Sequence, residues 1–349
     1  MIPFSVLDLS PILQGSDAAQ SFRNTIDLAQ HAEKLGYRRY WLAEHHSMPG
    51  IASSATAVLM ARVGAATLTI RVGAGGITLP NHAPLVIAEQ FGTLESLFPG
   101  RIDLGLGRAP GADEATAQAL RRNLLLSDVE QFPQDVLELM HYFGPARRDQ
   151  KVHAVPGEGL TVPIWILGSS LFGATLAAEL GLPFAFASHF APLPMMEALA
   201  IYREHFRPSA QLDRPYVMLG VSIFAADTDA EAHFLSSSME QAFVKSRSGC
   251  RSTLPAPVED YEERLMPHER KILEQVLTGA AIGSPQVIHQ WLETFIARTG
   301  ADELMITSQI FKHAARLRSY TIAAEVRDAM RDGSQAYRGL TEAKYSPSC

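Results

Sequence analysis

The residues best equipped for chemistry fall in four short stretches. Glu44-His45-His46 sets a carboxylate beside two imidazoles, and Gly73, Gly75 and Gly76 interrupt an otherwise apolar run. Gly105-Leu106-Gly107-Arg108 ends an uncharged run in a guanidinium, and Gly168-Ser169-Ser170 places two hydroxyls after another apolar run. Each stretch has a plain reading beside a chemical one. Neighbouring strand residues point to opposite faces, so Glu44, His45 and His46 cannot all ligate one metal while the strand continues. No H-E-x-x-H pattern or cysteine pair adds ligands, and no metal is expected. His45 is then either an acid/base or hydrogen-bond donor in a binding cavity, or an ordinary strand-end histidine satisfied by its neighbours.

Glycine inside a strand costs stability. Gly75 and Gly76 therefore mark either a bulge with close packing, or a flat ligand lying against bare backbone. Ser169 and Ser170 are helix caps in the plain reading. In the other, they join free helix N–H groups and Arg108 to hold a phosphate. A flat ring plus a single phosphate fits a mononucleotide flavin better than a dinucleotide.

What aligns these stretches is that each follows an apolar run. The strand candidates are Phe4–Leu9, Arg39–Ala43, Ile70–Gly75, Ile102–Leu106, Val162–Leu167, Phe184–Ala187, Val217–Phe224 and Glu303–Ile306. Helical patterns lie between them, such as Ala18–Leu35, with Asp17 as N-cap and Gly36 at its end. Eight near-continuous apolar strands separated by helices predict a parallel sheet covered on both faces, in one domain over 1–349, as a closed (β/α)₈ TIM barrel. An open doubly wound sheet would want a glycine fingerprint after its first strand, where this chain reads Ser-Pro-Ile-Leu-Gln-Gly. In such a barrel the polar strand ends converge on one rim, which is where barrel active sites lie. His189 and Thr307-Ser308-Gln309 also fall at strand ends on that rim. Two segments break the rhythm. Gly144–Thr161 reads as a surface excursion, and Ser246–Gly283 reads as a lid insertion between the seventh and last strand candidates, over the C-terminal mouth.

The 349 residues carry 30 Lys plus Arg against 37 Asp plus Glu, a net charge of −7, which speaks against nucleic acid as the main partner. Two cysteines, Cys250 and Cys349, leave no disulfide framework. The uncharged stretch Gly159–Ala178 is broken by Pro163, Gly168 and Gly173, and reads as a strand turning into a helix instead of a membrane span. No basic leader precedes Asp8, so a soluble cytoplasmic protein is expected. Neither a G-x-S-x-G elbow nor a Walker loop is present.

Together, Leu42-Ala43-Glu44-His45-His46, Arg71-Val72-Gly73-Ala74-Gly75-Gly76-Ile77, Pro99–Arg108 and Leu167-Gly168-Ser169-Ser170 resemble the bacterial luciferase-like flavin monooxygenases. The likeness extends to Ile306-Thr307-Ser308 and His313–Tyr320. It implies the luciferase variant of the TIM barrel, and a cofactor, reduced FMN, supplied by a separate flavin reductase. With oxygen, a flavin hydroperoxide would oxygenate a small organic substrate. By the same likeness His45 is the catalytic histidine, Gly75-Gly76 is a cis peptide facing the flavin ring, and Arg108, Ser169 and Ser170 form the phosphate pocket. A homodimer through the helical segments Ser53–Ala65 and Leu85–Leu97 is also implied. Where luciferases have a reactive cysteine and an acidic residue, this chain has Gly107 and Gly168, which puts light emission and an alkanal substrate in doubt. The alternatives are a hydride-transferring enzyme using a deazaflavin, which the same superfamily contains, or a flavin-binding homologue without catalysis.

Overall fold

The computed structural model describes residues 2–109, 114–120, 128–146 and 150–331. Its strands are β1 (Phe4–Asp8), β2 (Arg39–Leu42), β3 (Arg71–Thr78), β4 (Ile102–Gly107), β5 (Ile164–Gly168), β6 (Phe184–Phe186), β7 (Val217–Ala225), β8 (Ala280–Gly283) and β9 (Glu303–Thr307). The helices are α1 (Ala18–Lys34), α2 (Thr56–Ala66), α3 (Pro84–Leu97), α4 (Glu114–Leu120), α5 (Asp128–Phe143), α6 (Leu171–Leu180), α7 (Met195–His205), α8 (Asp229–Arg247), α9 (Pro267–Leu277), α10 (Pro285–Thr299) and α11 (His313–Arg331). The first seven strands pair in sequence order, β7 pairs with β9, and β9 returns to β1, all in parallel. A closed eight-stranded TIM barrel results, as the alternation of apolar runs and helices requires.

The sequence reading differs from the structure in its last third. The segment 246–283, read as a lid insertion, includes α9 and β8, a strand the sequence reading did not count. β7 is nine residues long: Met218–Ser222 bonds to β9, while Ser222–Ala225 bonds to β8. β8 therefore extends the sheet above the closed ring without entering it. Gly144–Thr161 is likewise not wholly a surface excursion. Ala154 is fully buried, and Gly157 packs its backbone against Gly92 and Ala88 of α3. Gly159–Ala178 folds as β5 and α6, and no helix among the described residues is long and apolar enough to cross a membrane.

Local signals explain the elements. Asp17 caps α1 by accepting from the Gln20 amide at 2.8 Å, and Gly36 follows with φ of 71°. Gly181 and Gly300 end α6 and α10 in the same left-handed conformation. The main core lies between the strands and the surrounding helices, around Phe4, Phe91, Phe184 and Tyr320. Inside the ring, Leu7, Trp41, Trp165, Met218 and Met305 form a smaller cluster.

Below that cluster, the N-terminal ends of the strands are plugged by charge. Arg39 donates to Asp103 at 2.7 Å and to Glu303 at 3.0 Å; Arg71 also reaches Asp103, and Tyr216 and Ser5 donate to Glu303. The Trp41 indole N–H completes Asp103 at 3.1 Å. Every buried carboxylate here has its counter-charge and donors, the condition under which burial is tolerated. The barrel is thus closed at one end by a satisfied ionic plug and open to chemistry at the other.

Candidate active site

A cavity of about 710 Å³ occupies the mouth at the C-terminal ends of the strands. His45, Gly75, Gly76, Arg108, Ser169 and Ser170 all line it, so the structure brings the sequence-derived residues into one place. Most of the remaining wall is apolar, with Trp41, Phe186 and Met305 below and Met239, Phe243 and Leu254 above. The upper residues belong to α8 and the segment after it. That segment is tied back to the β1 loop, where the Leu254 amide donates to Ile12 and its carbonyl accepts from Gln14, both at 2.8 Å. Arg251 donates to the Ser47 carbonyl at 3.3 Å on the β2 loop.

Glu44, His45 and His46 divide their labour once β2 has ended. Glu44 turns into the wall, where its carboxylate accepts from His46 Nε2 and His82 Nε2 at 2.7 Å each and from the Thr78 amide and hydroxyl. Burial works to raise this carboxyl, but the donors from His82, His46 and Thr78 outweigh it and hold the group below the usual range. These are metal-ligand residue types within 4.8 Å of one another, yet both nitrogens point at one carboxylate oxygen that already has a third donor. The arrangement is a hydrogen-bonded clamp. His45 takes no part in it. Its main-chain N–H donates to the Ser53 carbonyl, while its ring Nδ1 is buried without a hydrogen-bond partner. Burial, reinforced by His46 against the pull of Glu44, lowers its pKa and favours the neutral ring.

Gly75 and Gly76 are joined by a cis peptide bond and lie at a register shift between Ala74 and Ile77, so the bulge reading is correct as structure. Both also line the cavity. A Cβ on Gly75 would meet Leu7 Cδ1 at 2.8 Å, and one on Gly76 would meet the Gly105 carbonyl oxygen at 2.7 Å. Neighbouring protein atoms therefore demand these glycines before any ligand does, and the result is a stretch of bare backbone in the cavity wall.

Arg108 lies with its guanidinium 4.0 Å from the centre of the Phe172 ring, and among the described residues no carboxylate pairs with it. Phe172 belongs to the first turn of α6, whose N-cap, Ser170, makes no side-chain capping bond. Free N–H groups, two hydroxyls and a stacked guanidinium thus share one corner of the cavity, a donor set suited to an oxyanion.

Reasoning from sequence missed two partnerships. His82 carried no signal in the sequence, since its partner Glu44 is 38 residues away. His189 was noted as a strand end, but its place opposite His45 depends on barrel closure. Its Nδ1 and the Thr307 hydroxyl are, like His45 Nδ1, buried and unbonded.

Residues 2–303 match the model of the luciferase-like monooxygenase family. The chain belongs to that family. It is 51% identical over 329 residues to a luciferase-like monooxygenase of Escherichia coli K12, covering 94% of this chain and 98% of the relative. It is 31% identical to the N-acetyl-S-alkylcysteine monooxygenase of Bacillus subtilis, over 93% of this chain and 98% of that one. Among solved structures, apo-MsnO8 superposes with a TM-score of 0.83 at 32% identity, covering 94% of this chain and 99% of that one. Within this luciferase-like monooxygenase, Gly107 is not forced by crowding: a Cβ there would meet only the Ile77 carbonyl oxygen, at 3.7 Å. At Gly168 the nearest atoms are 3.5 Å away. The two departures from the luciferase pattern leave volume in the site without weakening its frame.

Proposed function

We propose that this chain is an FMN-dependent monooxygenase that uses reduced FMN, delivered by a separate flavin reductase, and molecular oxygen to oxygenate a small organic substrate. The observation that carries this reading is the meeting, in one mostly apolar cavity, of a bare backbone stretch, an arginine with no carboxylate partner among the described residues at an open helix N-terminus, and a histidine whose Nδ1 is unbonded. The residues fit the cofactor in kind. Gly75-Gly76 would face the flavin ring, and Arg108 with the start of α6 at Ser169 and Ser170 would hold the phosphate. A solved relative in fold, the oxygenating constituent of 3,6-diketocamphane monooxygenase, was determined in complex with FMN, at 17% identity and a TM-score of 0.71.

Bound and reduced, the flavin would supply the two electrons that let oxygen insert one atom into a substrate. The protein's part is to exclude water and place a proton. Segment 246–283, acting as a lid, would close the mouth with Phe243 and Leu254, so that reactive oxygen species meet substrate before solvent. His45, neutral and unbonded, would exchange a proton or hydrogen bond with the oxygen or the substrate at its free ring nitrogen.

Anaerobic titration with reduced FMN, followed by air and isotopically labelled oxygen, tests the reading. The expected result is saturable FMN binding, oxygen consumption, and one labelled atom in the product. Binding of a deazaflavin with hydride transfer and no oxygen uptake would replace the reading with the reductase alternative; a solved neighbour of 14% identity is an F420-dependent secondary alcohol dehydrogenase. FMN binding with no oxygen uptake in the presence of any donor would leave a non-catalytic flavoprotein.

A further inference from the structure

His189 has the same unusual description as His45. It follows β6, lines the cavity, and buries its Nδ1 without a hydrogen-bond partner. A structural histidine at a strand end would satisfy that nitrogen on nearby backbone. Instead the ring lies flush on β7, where Gly220 has no Cβ and any Cβ would collide with His189 Nδ1. The edge of the ring meets Phe190 at a centroid distance of 5.1 Å. Two strands on opposite sides of the barrel, β2 and β6, thus lead into two imidazoles that line one cavity, each with its Nδ1 unbonded.

The proposal rests on the FMN-monooxygenase reading. We propose that His189 and His45 act as a pair that carries a single proton between the oxygen being reduced and the reduced flavin. In that reaction a bound reduced flavin would supply two electrons and two hydrogens, and the substrate would gain one oxygen atom. The O–O bond breaks, and the second oxygen leaves as water with those two hydrogens. The pair accepts one of these protons on an imidazole nitrogen and returns it to the departing oxygen, so each turnover ends with the pair as it began. Thr307, whose hydroxyl is also buried without a partner, lines the same cavity.

The electrostatics agree. Burial first, and then the proximity of His45, pull His189 down to about 4, so both rings are neutral near pH 7. His45 itself feels Glu44 and His46, and the rest of the cavity's charge is cationic, from Arg108, Arg247 and Arg251. Two imidazolium ions in one cavity repel each other, so the pair carries at most one proton and releases it readily.

Two measurements test the pair. Histidine NMR on the ligand-free protein reads it without turnover: His45→Asn removes the repulsion, and the His189 midpoint moves up from about 4. An unmoved midpoint would show that the rings do not interact and would overturn the pairing. In turnover, His189→Gln keeps FMN affinity within twofold, lowers kcat about tenfold or more, and diverts oxygen to hydrogen peroxide. Unchanged kcat and unchanged coupling of oxygen to product overturn the relay. If the Gln variant does not fold, His189→Asn and the NMR arm still decide. If the wild type neither binds FMN nor consumes oxygen, the functional reading fails separately from the pair, which the NMR arm still judges.

Discussion

At the scale of single residues, Arg108 is the most sharply defined claim. Its guanidinium is shelved on Phe172, and among the described residues it has no carboxylate to neutralise it. A hydrogen bond to a charged group contributes about 1.5–3 kcal/mol, roughly ten- to a hundredfold in Kd. Arg108→Ala should therefore weaken FMN by about that factor while leaving riboflavin, which lacks the phosphate, unaffected in a fluorescence titration. Equal losses for both would remove Arg108 from the phosphate site. His45 and Arg108 were legible in sequence because each ends an apolar run, and barrel topology gathers such ends. Glu44 was legible as a carboxylate but not as a clamp: its partners His82 and Thr78 come from the next β-strand and the turn after it, and register cannot be read from one sequence.

At the scale of elements, the glycines of β3 and β4 differ in a way that the sequence hides. Gly76 is hemmed in by the Gly105 backbone, whereas Gly107 faces open space. Gly76→Ala should lower the melting temperature and abolish flavin binding, since backbone cannot yield as a flexible side chain can. Gly107→Ala should keep stability within about 0.5 kcal/mol and only reduce the volume of the site; thermal unfolding of the two variants, side by side, decides. The eight ring strands were legible because their apolar runs are long enough to stand out. β8, Ala280-Ala281-Ile282-Gly283, was not: two alanines, an isoleucine and a glycine are too short an apolar run to stand out, and only the free upper half of β7 makes them a strand.

At the scale of the whole molecule, two helices on one side of the barrel carry more apolar surface than packing consumes. On α2, Val58 is 70% exposed, and Leu68 just beyond it is 84% exposed; on α3, Leu97 is 59% exposed. We propose this face, which the sequence resemblance also implies, as the surface joining two copies. Light scattering should give twice the chain mass, and the double variant Val58→Glu with Leu68→Glu should give the mass of one chain with its fold intact by circular dichroism. A monomeric wild type would end the proposal.

β8 has a bearing on how molecules come and go. The Ser222 amide donates to Gly279 and the Ala226 amide to Gly283, so main-chain bonds stitch the far end of the segment above the mouth to the wall itself. The near end is held across the mouth by Leu254 on the β1 loop and Arg251 on Ser47, and to α8 by the Val258 amide on Ser237 and Gln241 on the Ala256 carbonyl. Traffic into the barrel is then a matter of unfastening one seam of a few bonds, like a flap sewn along one edge. The toll for entry is set at Leu254, in the upper wall of the cavity itself.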